Sequence, residues 1–203
     1  MYSCTDAMLL ALKVLGVDKG DEIITTTFTF ASTGHVICHH GAKPVFVDVD
    51  PETFNINPEL IEEKITPKTK GIIPVHYGGQ SCDMDPIMDI ASKHNLFVME
   101  DAAHAIGTKY KGRKIGSIGD ITCFSYYATK NLSTAEGGMA VTNNEEWSNR
   151  MRILSMYGIS DAREIWHSRY SKAGAIHHDI VELGYKCNMT DICAGIGLHQ
   201  LAK

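Results

Sequence analysis

The amino-acid sequence predicts an α/β fold with three layers, in which a mainly parallel sheet has helices on both faces. Short apolar segments rich in Val and Ile alternate with segments of helical periodicity, and this alternation is typical of parallel sheets. The 203 residues are 44% hydrophobic and 21% charged, which is ordinary for a globular protein. A chain of this length favours one large domain.

Each element predicted in the first half of the chain rests on a local pattern. The first helix has apolar residues at helical spacing, and Ser3, Thr5 or Asp6 can cap it. The third helix begins with Asn57-Pro58, a capping residue followed by proline at the first helical position. The strands are runs of β-branched residues between turn residues. In chain order, the predicted elements are helix 7–15, strand 21–27, helix 31–40, strand 43–49, helix 57–65 and strand 71–75.

The second half continues the alternation and then changes in character. Residues 110–118 predict a hairpin or a loop. Residues 160–179 carry mixed charges without a clear period and predict a mobile loop that could determine substrate specificity. Residues 188–191 supply caps for a final helix. In chain order, the predicted elements are helix 83–94, strand 96–100, strand 121–125, strand 137–142, helix 144–155 and helix 192–201.

Composition argues against several classes of function. The net charge of -5 and the absence of a Lys/Arg cluster disfavour a nucleic-acid-binding protein. No apolar stretch is long enough to cross a bilayer, and the N-terminus has no signal-peptide pattern, so we expect a cytoplasmic protein. The six cysteines are scattered without a C-x-x-C pair and are expected to be buried free thiols. The histidine spacing predicts no catalytic metal.

Polar residues cluster where predicted strands end. Glu100-Asp101 and Ser125 end two strands, His76 follows a third, and Lys130 comes five residues after Ser125. The carboxyl ends of parallel strands share one edge of a sheet, which is where ligands bind. A carboxylate, a hydroxyl and a lysine at that edge are the groups that pyridoxal phosphate (PLP) requires.

The same residues also have simpler interpretations. A single loop lysine such as Lys130 is usually a solvated charge, and an aspartate at a strand end such as Asp101 is more often a helix cap or loop anchor. The residues alone therefore predict an α/β enzyme without fixing its reaction. A generic nucleotide-binding module is disfavoured, because neither a G-x-G-x-x-G nor a G-x-x-x-x-G-K-[ST] loop is present.

Two longer segments carry a family resemblance. FVMEDAAHAIG (97–107) and FSYYATKNLSTAEGG (124–138) resemble the DegT/DnrJ/EryC1/StrS family of PLP-dependent sugar aminotransferases. Further matches are collinear over essentially the whole chain. They include SCTDA (3–7), GDEII (20–24), FTFAST (28–33), PVFVDVD (44–50), PVHYGG (74–79) and GYKCNMTD (184–191).

The resemblance implies roles for residues around the ring of the cofactor. Lys130 would bond covalently to PLP and later carry the proton between the substrate carbon and the cofactor. Asp101 would pair with the pyridine nitrogen, and these two are the implied catalytic residues. His104 would lie near the ring hydroxyl or the substrate, and Phe30 would stack on the ring, which suits its flat apolar face.

The resemblance also implies how the phosphate is held. Thr5 and Asp6 would offer backbone N–H groups at a helix start, while the Asp6 carboxylate turns away to cap its own helix. Ser125 would add a hydroxyl. Asn188 would reach the phosphate of a neighbouring subunit, which implies a homodimer with shared active sites.

At the level of the whole protein, the resemblance implies an aminotransferase of fold type I. It would move an amino group from glutamate to a nucleotide-linked keto-sugar, with a UDP-linked 4-keto sugar favoured, for polysaccharide or lipopolysaccharide synthesis. Residues 1–203 would form the PLP-binding large domain, with an incomplete N-terminal segment and without the small C-terminal domain. The alternative is a truncated, non-catalytic remnant that binds PLP or a partner without turnover.

Overall fold

A computed structural model describes residues 1–160 and 179–203. Within them, the helices are α1 (Cys4–Val14), α2 (Ala31–His39), α3 (Met84–His94), α4 (Glu145–Leu154) and α5 (Asp191–Leu201). The strands are β1 (Glu22–Thr26), β2 (Lys43–Val47), β3 (Thr69–Ile72), β4 (Phe97–Asp101), β5 (Lys109–Tyr110), β6 (Arg113–Lys114), β7 (Ile121–Ser125) and β8 (Gly138–Val141).

Six of these strands form one sheet in the order β2-β1-β3-β4-β7-β8. Neighbouring strands are parallel from β2 to β7, and only β8 pairs antiparallel to its neighbour. The mainly parallel sheet is therefore confirmed. The remaining pair, β5 and β6, is a short antiparallel hairpin, which decides between the hairpin and the loop considered for residues 110–118.

Apolar residues fill both faces of the sheet. In β1, Ile23 packs in a cluster with residues of α1, α2 and α4, whereas its neighbour Ile24 packs in a second cluster with residues of α3. Met99 and Val98 of β4 divide between the same two clusters. Successive strand residues point to opposite faces, so this division shows three layers with helical residues on both faces, as predicted.

The helix predicted at residues 57–65 is wrong in type. The structure has two consecutive 3₁₀ turns there, Pro58–Leu60 and Glu62–Lys64. Asn57 does cap the first turn, since its side chain accepts a hydrogen bond from the N–H of Glu59 at 3.0 Å. The segment is short, and Pro67 follows closely. It could therefore form only a few α-helical hydrogen bonds, too few to offset the free energy cost of starting an α-helix.

Other differences concern boundaries and cysteines. The strand expected at residues 71–75 begins two residues earlier and ends at Ile72. The predicted mobile loop falls largely on residues 161–178, which lie outside the described part of the chain. Four cysteines are buried free thiols as expected, but Cys38 is exposed and Cys193 is half-buried. Within residues 1–160 and 179–203, none of the helices is long and apolar enough to span a membrane.

Gly138 places the start of β8 directly against the start of α1. A Cβ on Gly138 would lie 2.3 Å from the carbonyl carbon of Ser3 and 2.5 Å from the nitrogen of Cys4. We expect Gly138→Ala to lower the free energy of unfolding by about 1–3 kcal/mol, because backbone atoms cannot move aside as a side chain can. Urea denaturation measures this change.

The matched control for this substitution is Gly34→Ala in α2. A Cβ on Gly34 would meet no atom within 4 Å, so alanine should raise the free energy of unfolding by about 0.5–1 kcal/mol through its higher helix propensity. Equal effects of the two substitutions would contradict the close packing of β8 on α1.

Candidate active site

One cavity of about 530 Å³ opens where the carboxyl ends of the parallel strands meet. This volume is typical of a small-molecule site. The cavity is bordered by residues that follow β1, β3, β4 and β7, together with the first turn of α1. Among the lining residues are Thr5, Phe30, Asp101, His104, Ser125 and Lys130, so six of the eight predicted site residues lie around one space.

Asp101 is the buried carboxylate of this cavity. It ends β4 and is only 4% exposed. The hydroxyl of Thr33 donates to its Oδ2 at 2.8 Å, and the N–H of Ala103 donates to its Oδ1 at 3.2 Å. No cation pairs with Asp101 within residues 1–160 and 179–203. A carboxylate held in this way can accept a further hydrogen bond from a ligand in the cavity.

Lys130 lies in the loop after β7 and is half-buried at the wall of the cavity. Its backbone N–H donates to the carbonyl of Tyr127 at 2.9 Å, which closes a turn that fixes the start of the side chain. The positive charge of Lys130 affects the pKa values of two neighbouring side chains in the cavity. It lowers the pKa of His104 and opposes the rise in the pKa of Cys4.

His104 and Cys4 are both held uncharged. Partial burial, and then the charge of Lys130, keep the pKa of His104 below its ordinary value, so the ring is neutral at pH 7. Burial raises the pKa of the Cys4 thiol well above its ordinary value. Its Sγ lies 3.5 Å from the carbonyl oxygen of Cys123, to which it donates. These two side chains therefore add no charge to the cavity.

The first turn of α1 borders the cavity. Ser3 is its N-cap, and its Oγ accepts a hydrogen bond from the Asp6 N–H at 3.0 Å. The first N–H groups of a helix have no carbonyl partner within it, so those of Cys4 and Thr5 remain as donors for an anion. Ser125, at the end of β7, adds a buried hydroxyl to the cavity.

The structure differs from the sequence-based expectation at Asp6. Its N–H was expected to face a phosphate, but Ser3 already engages that group. The Asp6 carboxylate turns to its own helix end as expected, where it accepts a hydrogen bond from the Ser3 hydroxyl at 3.0 Å. The side chain of an N-cap residue accepts from the second or third N–H of its helix, so the Asp6 N–H already has a partner, and Asp6 is not among the lining residues of the cavity.

Asn188 also lies apart from the cavity of its own chain. Its side chain accepts a hydrogen bond from Lys186 and donates one to the carbonyl of Met189. Phe30, by contrast, stands at the cavity wall and is 80% exposed. An apolar ring exposed to this extent at a cavity offers a flat surface to a ligand.

A buried network surrounds Glu100, the residue before Asp101 in β4. Glu100 is fully buried and accepts hydrogen bonds from His76 Nε2 at 2.9 Å, the Thr122 hydroxyl at 2.7 Å and the Gly119 N–H at 2.8 Å. The N–H of Cys82 donates to His76 Nδ1 at 3.0 Å. Because His76 Nδ1 accepts this hydrogen bond, the ring proton that faces Glu100 is on Nε2, which donates to the carboxylate.

Glu100 should make stability depend on pH. Burial raises the pKa of its carboxyl, but the hydrogen bond and the electrostatic attraction of His76, together with the hydrogen bonds from Thr122 and Gly119, outweigh burial, and the net pKa lies below its ordinary value. A lowered pKa in the folded state stabilises the protein fully above the unfolded-state value of about 4.3, and this stabilisation is lost as the pH falls through the folded-state value.

We expect Glu100→Gln to lower the free energy of unfolding at pH 7 by about 2–3 kcal/mol, because the amide NH2 would face buried donors that now bond to a charged acceptor. The difference from the wild type should shrink below about pH 4. Urea denaturation between pH 3 and pH 7 measures both effects. The exposed Glu59 provides the control Glu59→Gln, which should show no such trend, and a pH-independent difference for Glu100→Gln would contradict the network.

Sequence reasoning did not assign a role to Thr29 or Thr33. Both follow β1, and their spacing of four residues brings them together, with Oγ1 atoms 2.8 Å apart. Thr29 lines the cavity, whereas Thr33 is fully buried beside Asp101. The FTFAST segment (28–33) indicates the family without assigning a task to either hydroxyl. The four-residue spacing at a helix start was the pattern that could have indicated them.

The residues of the cavity fit PLP. The buried Asp101 carboxylate suits a protonated pyridine nitrogen, the N–H groups at the start of α1 suit a phosphate, and the half-buried Lys130 suits an aldehyde. No group of three or more His, Cys, Asp or Glu side chains that could hold a metal occurs in the described part of the chain. The site and the mainly parallel sheet are those of a PLP-binding domain of fold type I.

Comparison with known proteins identifies the family to which this chain belongs. The model of the DegT/DnrJ/EryC1/StrS aminotransferase family matches residues 1–203, so the chain belongs to that family. The spore coat polysaccharide biosynthesis protein SpsC of Bacillus subtilis is 54% identical over 201 residues, which are 99% of this chain and 51% of SpsC. The GDP-perosamine synthase of Caulobacter vibrioides is 42% identical over 199 residues, which are 98% of this chain and 50% of that enzyme.

A solved structure supports the same assignment. The PLP form of Spr1654 from Streptococcus pneumoniae, which is described as a sugar aminotransferase, superposes with a TM-score of 0.89 at 40% identity. The match covers 99% of this chain and 53% of Spr1654. PLP is thus the cofactor of the family. This chain spans about half the length of each relative named here.

Proposed function

We propose that residues 1–203 form the PLP-binding large domain of an aminotransferase that moves an amino group from glutamate to a nucleotide-linked keto-sugar. One observation carries the proposal: a buried carboxylate, Asp101, and a loop lysine, Lys130, border the same cavity at the carboxyl ends of the strands. PLP, when bound, supplies the electron sink that stabilises negative charge on the substrate carbon.

The residues of the cavity have distinct tasks in this proposal. Lys130 Nζ holds the cofactor covalently and moves a proton at the reacting carbon. The Asp101 carboxylate keeps the proton on the pyridine nitrogen. The N–H groups at the start of α1, Thr5 among them, and the Ser125 hydroxyl bind the phosphate. Phe30 covers one face of the ring and excludes water from it.

His104 is proposed to contact the ring hydroxyl or the substrate. It lines the cavity and is neutral at pH 7, because partial burial and the charge of Lys130 lower its pKa. A neutral imidazole can donate or accept a hydrogen bond without adding a second positive charge next to Lys130. This makes it suitable for binding a polar group that Lys130 does not hold.

The choice of substrate follows from relatives. SpsC is named for spore coat polysaccharide biosynthesis, and the Caulobacter relative is named GDP-perosamine synthase. The first name supports a role in cell-surface polysaccharide synthesis, and the second supports a nucleotide-linked sugar; the keto group and a role in lipopolysaccharide synthesis are proposed from the family resemblance. The family resemblance favours a UDP-linked 4-keto sugar and glutamate as donor, and the GDP-linked product of one relative makes GDP-linked sugars the comparison to test.

A homodimer with shared sites is part of the proposal. Asn188 lies outside the cavity of its own chain, where it bonds to Lys186 and Met189. A position outside its own cavity is what an asparagine that reaches the phosphate of a neighbouring subunit requires.

A second candidate is a PLP-binding chain without turnover. It shares the first part of the mechanism, because Lys130 and Asp101 would still bind the cofactor.

One experiment separates the two candidates. The purified chain is loaded with PLP, and the absorbance band of lysine-bound cofactor is followed on addition of glutamate. The proposed function predicts that glutamate removes the band and that a UDP- or GDP-linked 4-keto sugar restores it. A band that glutamate leaves unchanged supports binding without turnover, and the absence of a band contradicts both candidates.

A further inference from the structure

Two threonine hydroxyls form a chain of hydrogen bonds that ends on Asp101. Thr33 Oγ1 donates to Asp101 Oδ2 at 2.8 Å. Thr29 Oγ1 lies 2.8 Å from Thr33 Oγ1. Thr33 is fully buried and is not part of the cavity wall, whereas Thr29 is half-buried and lines the cavity.

The number of hydroxyl protons decides which group donates in each of these two hydrogen bonds. A threonine hydroxyl has one proton, and Thr33 gives its proton to the Asp101 carboxylate, which has none to give. Thr29 must therefore donate to Thr33. The two bonds point the same way, toward the carboxylate, and each strengthens the other where water is excluded.

The arrangement leaves part of the Asp101 carboxylate available to the cavity. Oδ2 accepts from Thr33, and Oδ1 accepts from the Ala103 N–H at 3.2 Å. A carboxylate has about four acceptor positions. Two hydrogen bonds therefore fix its orientation and leave acceptor positions for a ligand. Because Thr33 is buried, no solvent could replace its hydroxyl if that hydroxyl were removed.

We propose that Thr33, supported by Thr29, is a positioning residue that orients the Asp101 carboxylate toward the ring nitrogen of PLP. The proposal rests on the proposed function, since it assigns the cofactor to this cavity. Thr33 acts only through Asp101, so its effect on binding depends on the presence of a ring nitrogen in the ligand.

This dependence gives the test. Dissociation constants are measured for PLP and for 1-deaza-PLP, an analogue with carbon in place of the ring nitrogen. Thr33→Val should weaken PLP about tenfold or more, the effect of one hydrogen bond to a charged group, and leave 1-deaza-PLP unchanged. Thr33→Ser keeps the hydroxyl and should restore PLP binding. Thr29→Val should weaken PLP by a smaller factor, about threefold, because its effect is indirect.

Thr25 supplies a matched control. Thr25 is also fully buried, but its hydroxyl donates to the carbonyl of Ile73 at 2.9 Å and does not reach Asp101. Thr25→Val should lower stability without changing the ratio of the two dissociation constants. If Thr33→Val weakens both ligands equally, or neither, the positioning role is wrong while PLP binding stands. If the wild type binds neither ligand, the proposed function fails and the positioning role fails with it.

Discussion

Replacement of Lys130 by alanine is expected to abolish covalent attachment of PLP and to slow amino transfer by about a thousandfold or more. Lys130 is a half-buried lysine of the cavity wall, and its turn is fixed by the bond to Tyr127. Loss of a positioned acid–base group alone costs about 10²–10⁴-fold, and loss of the covalent anchor adds to this. The absorbance band of lysine-bound cofactor should be absent from Lys130→Ala.

The control for this prediction is Lys114→Ala. Lys114 is an exposed lysine of β6 and does not line the cavity, so its removal should leave both the band and the rate unchanged. An equal loss in the two variants would indicate damage to the fold. A normal band in Lys130→Ala would show that another amine holds the cofactor.

The second large effect is expected for Asp101→Asn. The amide has the shape of the carboxylate but no charge, so it cannot keep a proton on the pyridine nitrogen. Loss of one partner of a buried ionic pair costs about 3–5 kcal/mol, which corresponds to a loss of about 10²–10⁴-fold in PLP affinity or in the rate of amino transfer. Titration with PLP and the rate of the glutamate half-reaction measure the two quantities.

Asp85→Asn is the matched control. The Asp85 carboxylate is exposed and pairs with Lys111 at 2.6 Å, away from the cavity. Such surface pairs contribute little, so PLP affinity should stay unchanged. If Asp101→Asn retains full affinity and rate, the carboxylate is not the partner of the ring nitrogen.

The fold was largely predictable because its strands are short apolar runs bounded by turns. Ile23 and Ile24 in β1, or Val98 and Met99 in β4, are apolar at both alternate positions, which indicates a strand covered on both faces. The helix at 57–65 could not be predicted in type. Its apolar spacing fits an α-helix, but whether so short a segment forms α or 3₁₀ bonds depends on its packing.

Those residues of the candidate site that lie at strand ends could be predicted from the sequence. The hydrogen bonds that depend on the direction of individual side chains could not. Asp101 and Ser125 end neighbouring strands, so topology alone brings them to one edge. The bond from Thr33 to Asp101 spans 68 residues, and no local pattern specifies it. Ser3 was one of three possible caps for the first helix, and the sequence did not decide which of them would bond to the Asp6 N–H.

The most direct test of the central claim is to identify the lysine that holds the cofactor. The wild-type chain is loaded with PLP, reduced with borohydride and digested, and the labelled peptide is sequenced by mass spectrometry. The structure predicts a single labelled residue, Lys130, in the loop after β7. A label on any other lysine, or no label after reduction, would contradict the account.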